Sequence, residues 1–88
     1  MSFFQPTSTL LAIKLIVFFA SNPETKLTDD EVARKYTFKR DRITNSLKAA
    51  ITRGYVQVEF IPGGRISGHP QLVFSAGNEL LNELGYGA

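Results

Sequence analysis

The chain has 88 residues, and 43% of them are hydrophobic. This length allows one compact domain with a modest core, and the composition is that of a globular chain rather than a disordered one. Cysteine is absent, which excludes disulfides and thiolate metal ligands. The one histidine, His69, would leave a zinc site to be built mostly from carboxylates, so we expect no metal.

The net charge of +2 is unevenly distributed along the chain. Residues 34–53 carry seven of the ten Lys and Arg against one acid, Asp41, which gives this segment a local net charge of +6. Basic faces of this kind typically bind phosphates, either of nucleic acid or of anionic lipid.

The first predicted element is a helix over 7–20, which follows Pro6 and includes the apolar run LLAIKLIVFFA. This run is about half as long as a membrane-spanning helix, it contains Lys14, and no basic side chain precedes it as in a signal peptide. It therefore predicts a buried helix of a cytoplasmic protein that does not enter the membrane. Because the helix is apolar almost all round, we expect it to pack on the core with one side and to form a homodimer with the other.

A second helix is predicted to begin at LTDDEVARKY (27–36), after the SNPET turn. Thr28 and Glu31 have the spacing of a capping box. Asp29, Asp30 and Glu31 could suggest a metal or acid–base site. The helix dipole favours acids in a first turn, so we interpret all three as structural.

A third helix is predicted over 38–53, ending at Arg53-Gly54. Its apolar residues recur at i, i+4, i+7 and i+8, the spacing of a helix that packs on one side: Ile43, Leu47, Ala50 and Ile51. The opposite face, at roughly 100° per residue, consists of Asp41, Arg42, Asn45, Lys48, Ala49 and Thr52.

Two strands and a last helix complete the chain. YVQVEFI alternates apolar and polar residues, which predicts a strand that buries Val56, Val58 and Phe60. A glycine- and proline-rich loop follows, then a second strand over 71–74. The last predicted helix, within 76–84, turns its leucines inward: Leu80, Leu81 and Leu84.

This order of elements predicts one α+β domain over 1–88, mostly α-helical, with the architecture of a winged helix-turn-helix. The helix-turn-helix occupies 28–54, the two-stranded wing 55–74, and the C-terminal helix 76–84.

Over about 27–84 the chain resembles the winged helix-turn-helix transcription regulators of bacteria, in particular MarR-like and related small regulators. The resemblance rests on LTDDEVARKY, on Ile43 and Leu47, on Arg53-Gly54 before an apolar strand, and on the exit LVFSAGNELLNEL. The chain departs from the family at Thr37, where glycine is usual, and at Lys39, where serine is usual. Thr37 must then adopt a turn conformation that glycine enters more easily, and Lys39 cannot accept a capping hydrogen bond.

The resemblance implies binding to double-stranded DNA, with the third helix in the major groove. Arg42 and Asn45 have side chains that read guanine and adenine edges. The loop over 62–69 would place Arg65 on the DNA backbone or in the minor groove. The expected DNA-binding residues are Lys39, Arg40, Arg42, Thr44, Asn45, Lys48 and Arg65.

Other interpretations remain open at this point. The basic helix could be a solvated surface, and the glycine-rich loop could be a plain turn that leaves Arg65 in water. The domain could also be a protein–protein adaptor, cellular or viral, whose basic face meets an acidic protein. We find no nucleophile–base pair and no cofactor fingerprint, so we predict neither an enzyme nor a cofactor or small-molecule ligand.

Overall fold

The computed structural model describes residues 6–63, 68 and 70–85. Within these residues the three strands form one antiparallel sheet in the order β1-β3-β2. The fold is α+β and mostly helical, as predicted. The elements in chain order are α1 (Pro6–Ser21), β1 (Leu27–Thr28), α2 (Asp29–Tyr36), a 3-10 turn (Arg40–Arg42), α3 (Ile43–Thr52), β2 (Val56–Ile61), β3 (Gln71–Ala76) and α4 (Asn78–Glu83).

One face of α1 lies at the centre of the core. Leu11, Leu15 and Phe19 are four residues apart and at most 2% exposed. Each fully buried side chain of this size contributes about 1.5–3 kcal/mol relative to an exposed one, so their burial fixes α1 against the rest of the domain. The other buried apolar side chains of the core are Val32, Ile43, Leu47, Ala50, Val56, Phe74, Ala76 and Leu80.

The start of α2 confirms the predicted capping box. The Glu31 N–H donates to Thr28 Oγ1 at 3.1 Å, and the Thr28 N–H donates to Glu31 Oε1 at 2.8 Å. Thr28 also pairs with Val73 in the sheet, and Leu27 pairs with Phe74. This two-residue strand was not predicted, because it is too short to show an alternation and depends on a partner about 46 residues away.

The prediction of a helix that begins at residue 38 is wrong. Lys39 is extended, residues 40–42 form the 3-10 turn, and α3 begins at Ile43. The Arg42 N–H donates to the Lys39 carbonyl at 3.0 Å, but the Lys39 side chain makes no capping hydrogen bond. Because the Lys39 side chain cannot accept a capping hydrogen bond, residues 40–42 form a tighter 3-10 turn before the α-helix starts.

Two apolar residues that were predicted to be buried lie outside the observed core, so these two predictions are wrong. Phe60 is 60% exposed and Leu84 is 39% exposed. On the inward face of β2, Val56 is buried, Val58 is partly buried and Phe60 is exposed, so the strand leaves the core before it ends. Leu84 follows the end of α4 at Glu83. Alternation in the sequence predicts the face of a strand or helix but not how far the core extends along it.

The turn after α2 places Thr37 in the left-handed region, with φ 52° and ψ 54°. It is the one non-glycine residue with positive φ in the described part of the chain. The N–H groups of Thr37 and Phe38 both donate to the Ala33 carbonyl, which ends α2. The expected glycine-like conformation is therefore confirmed, and an L-residue in it costs about 1–2 kcal/mol.

We expect Thr37→Gly to stabilise the protein by about 0.5–1 kcal/mol, because the relieved strain exceeds the conformational entropy that glycine adds to the unfolded chain. Urea unfolding measures the difference. Ala49→Gly, at an exposed position inside α3, is the matched control and should cost about 0.5–1 kcal/mol. Equal destabilisation by both variants would show that the Thr37 conformation stores no strain.

The ends of α3 and β3 meet at two glycines. The Gly77 N–H donates to the Tyr55 carbonyl at 3.1 Å, and the Glu79 N–H donates to the Gly54 carbonyl at 2.9 Å. A Cβ added to Gly77 would overlap the Gly54 carbonyl group, lying 2.6 Å from its carbon. The close approach of the two backbones therefore requires a residue without a side chain at position 77.

Gly77→Ala should lower the free energy of unfolding by about 2–3 kcal/mol, because the new methyl group meets backbone that cannot move aside. The φ angle of Gly77, −80°, is one that alanine adopts without strain, so the effect would be purely steric. Gly85→Ala is the control, because Gly85 has φ 90° but open space around it. A smaller loss for Gly77→Ala than for Gly85→Ala in urea unfolding would contradict the steric interpretation.

Candidate nucleic-acid interface

The exposed side of α3 and the turn before it carry mostly basic and polar side chains, with Asp41 as an exposed acid among them. We call this surface the α3 face. The opposite side of the helix is anchored in the core, where Ile43 and Leu47 are fully buried and Ala50 is 6% exposed. Six of the predicted DNA-binding residues belong to the α3 face and are exposed: Lys39, Arg40, Arg42, Thr44, Asn45 and Lys48.

Within the α3 face, Asn45 and Lys48 lie one helical turn apart on the side away from the core. Arg42 immediately precedes the first residue of α3 and ends the 3-10 turn. A helix that buries one stripe presents the other to solvent in a fixed orientation. Arg42 and Asn45, whose side-chain types can bond base edges, therefore lie just before and within the first turn of α3, and both are exposed.

Arg40 has a partner in α2. Its Nη1 lies 3.1 Å from Asp30 Oδ1, with the two side chains 51% and 41% exposed. An ion pair this open to solvent contributes at most about 1 kcal/mol, so it holds the 3-10 turn only weakly against α2. It does place a negative charge directly beside the α3 face. This pair was not predicted from the sequence, because its members are ten residues apart in different elements and no local pattern joins them.

Lys35 does not belong to the α3 face. Its Nζ lies 4.8 Å from the centre of the Phe18 ring on α1 and 5.6 Å from that of Tyr36. These are distances of cation–π contacts. Burial raises the pKa of the Tyr36 hydroxyl above its ordinary value, so this ring stays neutral at physiological pH. One of the seven bases in residues 34–53 is thus directed towards aromatic rings.

The three acids at the start of α2 have structural contacts, as the sequence indicated. Asp29 is 4% exposed and its Oδ1 accepts the Asp30 N–H at 2.8 Å. Asp30 binds Arg40, and Glu31 completes the capping box. Among the described residues, no group of three or more His, Cys, Asp and Glu side chains could hold a metal ion.

Arg65 and His69 lie outside the described residues. The strands that lead to their loop are described, and the last pair in register before it is Ile61 with Gln71. Because Arg65 is not among the described residues, the candidate interface is limited to the other six predicted residues, those of the α3 face.

No protein-family model matches the sequence, and no curated protein matches it significantly.

Within the part of the chain that the structure describes, no helix is long and apolar enough to cross a membrane.

Proposed function

We propose that this chain is a winged helix-turn-helix protein that binds double-stranded DNA and acts as a small transcriptional regulator. α2 and α3 are the helix-turn-helix, and β2 and β3 with the loop between them are the wing. The observation that carries the proposal is the α3 face: it places base-reading and phosphate-binding side chains on the exposed side of the helix that such a motif inserts into the major groove.

The order of elements supports this interpretation. A short strand precedes α2, the helix pair is followed by an antiparallel pair of strands, and all three strands join one sheet. In this arrangement the residues of the α3 face remain exposed. Fold alone does not carry function, so the proposal depends on the chemistry of that face.

Each kind of side chain on the α3 face has its own role in the proposal. Arg42 donates two hydrogen bonds to a guanine edge, and Asn45 pairs with an adenine edge through its amide. Lys39 and Lys48 neutralise phosphates, which supplies affinity without sequence preference. Arg40 adds less positive charge than the lysines because Asp30 is bound to it.

Selection of DNA fragments from a random pool tests whether the protein prefers a sequence. Salt titrations on one selected and one random duplex test whether phosphates provide the affinity. A DNA-binding protein loses affinity steeply as salt rises, because phosphate contacts release counterions. Undetectable affinity for every duplex at low salt would refute the proposal and favour an adaptor whose basic face binds an acidic protein.

Arg42→Ala and Asn45→Ala should each weaken the selected duplex by about 1–3 kcal/mol and relax the preference at one or two base pairs. Lys48→Ala should weaken both duplexes alike and lower the salt slope by about one unit. Lys26→Ala removes an exposed charge outside residues 34–53 and is the matched control. Unchanged affinity and preference in both Arg42→Ala and Asn45→Ala would show that the α3 face does not read bases.

Asp30→Asn should strengthen binding to all duplexes by about two-fold at low salt, because it removes a negative charge beside the α3 face. Loss of the ion pair costs little, since both partners are about half exposed. The difference should disappear at high salt, and Glu83→Gln, at an exposed position on α4, should show no change. Weaker binding by Asp30→Asn would mean instead that the pair is needed to position the turn.

A further inference from the structure

The outer edge of β2 is open. β2 and β3 pair over six residues, from Val56 with Ala76 to Ile61 with Gln71. The sheet order is β1-β3-β2, so within the described residues no strand pairs with the other edge of β2. In an edge strand, alternate residues direct their N–H and C=O groups away from the sheet. These backbone groups can pair with one more strand.

Few features protect this edge against such pairing. Each residue of β2 has one partner in β3, so no bulge turns the edge away from solvent. β2 contains no proline and one charged residue, Glu59. Phe60 and Ile61 are exposed as well, Phe60 by 60%. Proteins usually blunt or cover a long edge with apolar side chains beside it, so an edge left open is suited to a partner.

A cavity of about 270 Å³ lies beside the first half of β2. Successive side chains of a strand point to opposite faces, so a cavity that touches three consecutive residues also borders the backbone of the strand. Its volume is below the roughly 300–1,000 Å³ of small-molecule sites, which suits it to one apolar side chain of a partner. The residues that line it are Ile51, Gly54, Val56, Gln57, Val58, Gly77 and Asn78.

The surroundings of the cavity are acidic. Glu59 and Glu79 each follow a residue that lines it, and both are exposed. The Glu79 N–H donates to the Gly54 carbonyl at 2.9 Å, which holds Glu79 at the rim. With Glu83, residues 54–63 and 70–85 contain three acids and no Lys or Arg. The charge beside β2 is therefore opposite to that of the α3 face.

The base next to this region in the chain, Arg53, lines a different groove, which lies between α1 and α3. No residue of the α3 face lines the cavity or belongs to β2. The open edge and its cavity therefore form a site separate from the proposed DNA interface.

We propose that β2 accepts an extended, basic segment of a partner protein as an additional strand, with one apolar side chain of that segment in the cavity. Main-chain hydrogen bonds give such a contact its affinity, and the side-chain pocket gives it specificity. Lys or Arg of the partner lies beside Glu59 and Glu79. A second copy of this chain is a poorer occupant, because it brings the same acids to the edge and like charges repel.

Calorimetric titration of the full chain with a synthetic peptide tests the proposal. The probe is a blocked six-residue peptide in which Lys alternates with Val and Leu. It should bind, and its affinity should fall as salt rises. The same peptide with Glu in place of Lys should not bind. N-methylation of the backbone amides removes the donors of strand pairing but keeps every charge, and should weaken binding by about ten-fold or more.

Variants locate the peptide, with circular dichroism to verify that each is folded. Glu59→Lys and Glu79→Lys should each weaken the basic peptide by about two- to five-fold. Glu24→Lys is the matched control, because it makes the same charge change at an exposed position before β1, and it should leave binding nearly unchanged. Asn78→Trp fills the cavity from its exposed rim, and should remove the preference for a peptide with Leu over one with Ala.

Failure of the wild type to bind the basic peptide at millimolar concentrations overturns the proposal. Equal binding of the N-methylated peptide would show charge attraction without strand pairing, and equal effects of Glu24→Lys and Glu59→Lys would place the peptide away from β2. Either result refutes the added strand. Self-association of the wild type that Phe60→Glu abolishes would make a second copy the occupant instead. None of these measurements involves DNA or the α3 face, so their failure is separable from that of the proposed function.

Discussion

The burial of one stripe of α3 is the constraint on which the rest of this structure depends. Ile43 and Leu47 are fully excluded from solvent and pack in the same cluster as Leu15 and Phe19 of α1. A helix cannot rotate about its axis without exposing such a stripe, which would cost several kcal/mol. The orientation of every other side chain on α3 follows from this. The polar surface of the helix is thus held in place by the burial of the side opposite to it.

α1 differs from α3 because it has more apolar surface than the core can cover. It is apolar almost all round, but a domain of 88 residues has only one core to offer it. Leu11, Leu15 and Phe19 occupy that core, and the residues on the far side of the helix remain half exposed. A small domain with a largely apolar helix either leaves such a surface in water or covers it by association.

Some of the basic side chains in residues 34–53 already have partners within the domain, so fewer positive charges are available to a partner molecule than the sequence suggests. Lys35 lies over aromatic rings, and Arg40 is bound to Asp30. Of the other five bases in residues 34–53, three lie on the α3 face: Lys39, Arg42 and Lys48. Both contacts join elements that are separate in the chain, and both are partly open to solvent, so they modulate the charge of the surface more than the stability of the fold. Two of the acids of α2 make contacts within its first turn: Glu31 in the capping box and Asp29 with the Asp30 N–H.

Local features were determined by the sequence alone. The capping box of Thr28 and Glu31, the buried stripe of α3 and the α+β class follow from spacings of a few residues, and the left-handed turn at Thr37 was expected from the resemblance to a family that has glycine there. Such patterns are decided by hydrogen bonds and side-chain rows within one element, which a linear sequence displays directly.

Contacts between distant segments were decided only by the tertiary structure. β1 exists because β3 lies beside it, with Leu27 paired to Phe74 and Thr28 paired to Val73. Phe60 and Leu84 are exposed because the core ends before β2 and α4 do. The pairing of Arg40 with Asp30, and the cavity beside β2, likewise depend on how the elements meet in space. A sequence pattern specifies which face of an element is apolar, but the extent of the core and the partners across it depend on the packing of all the elements together.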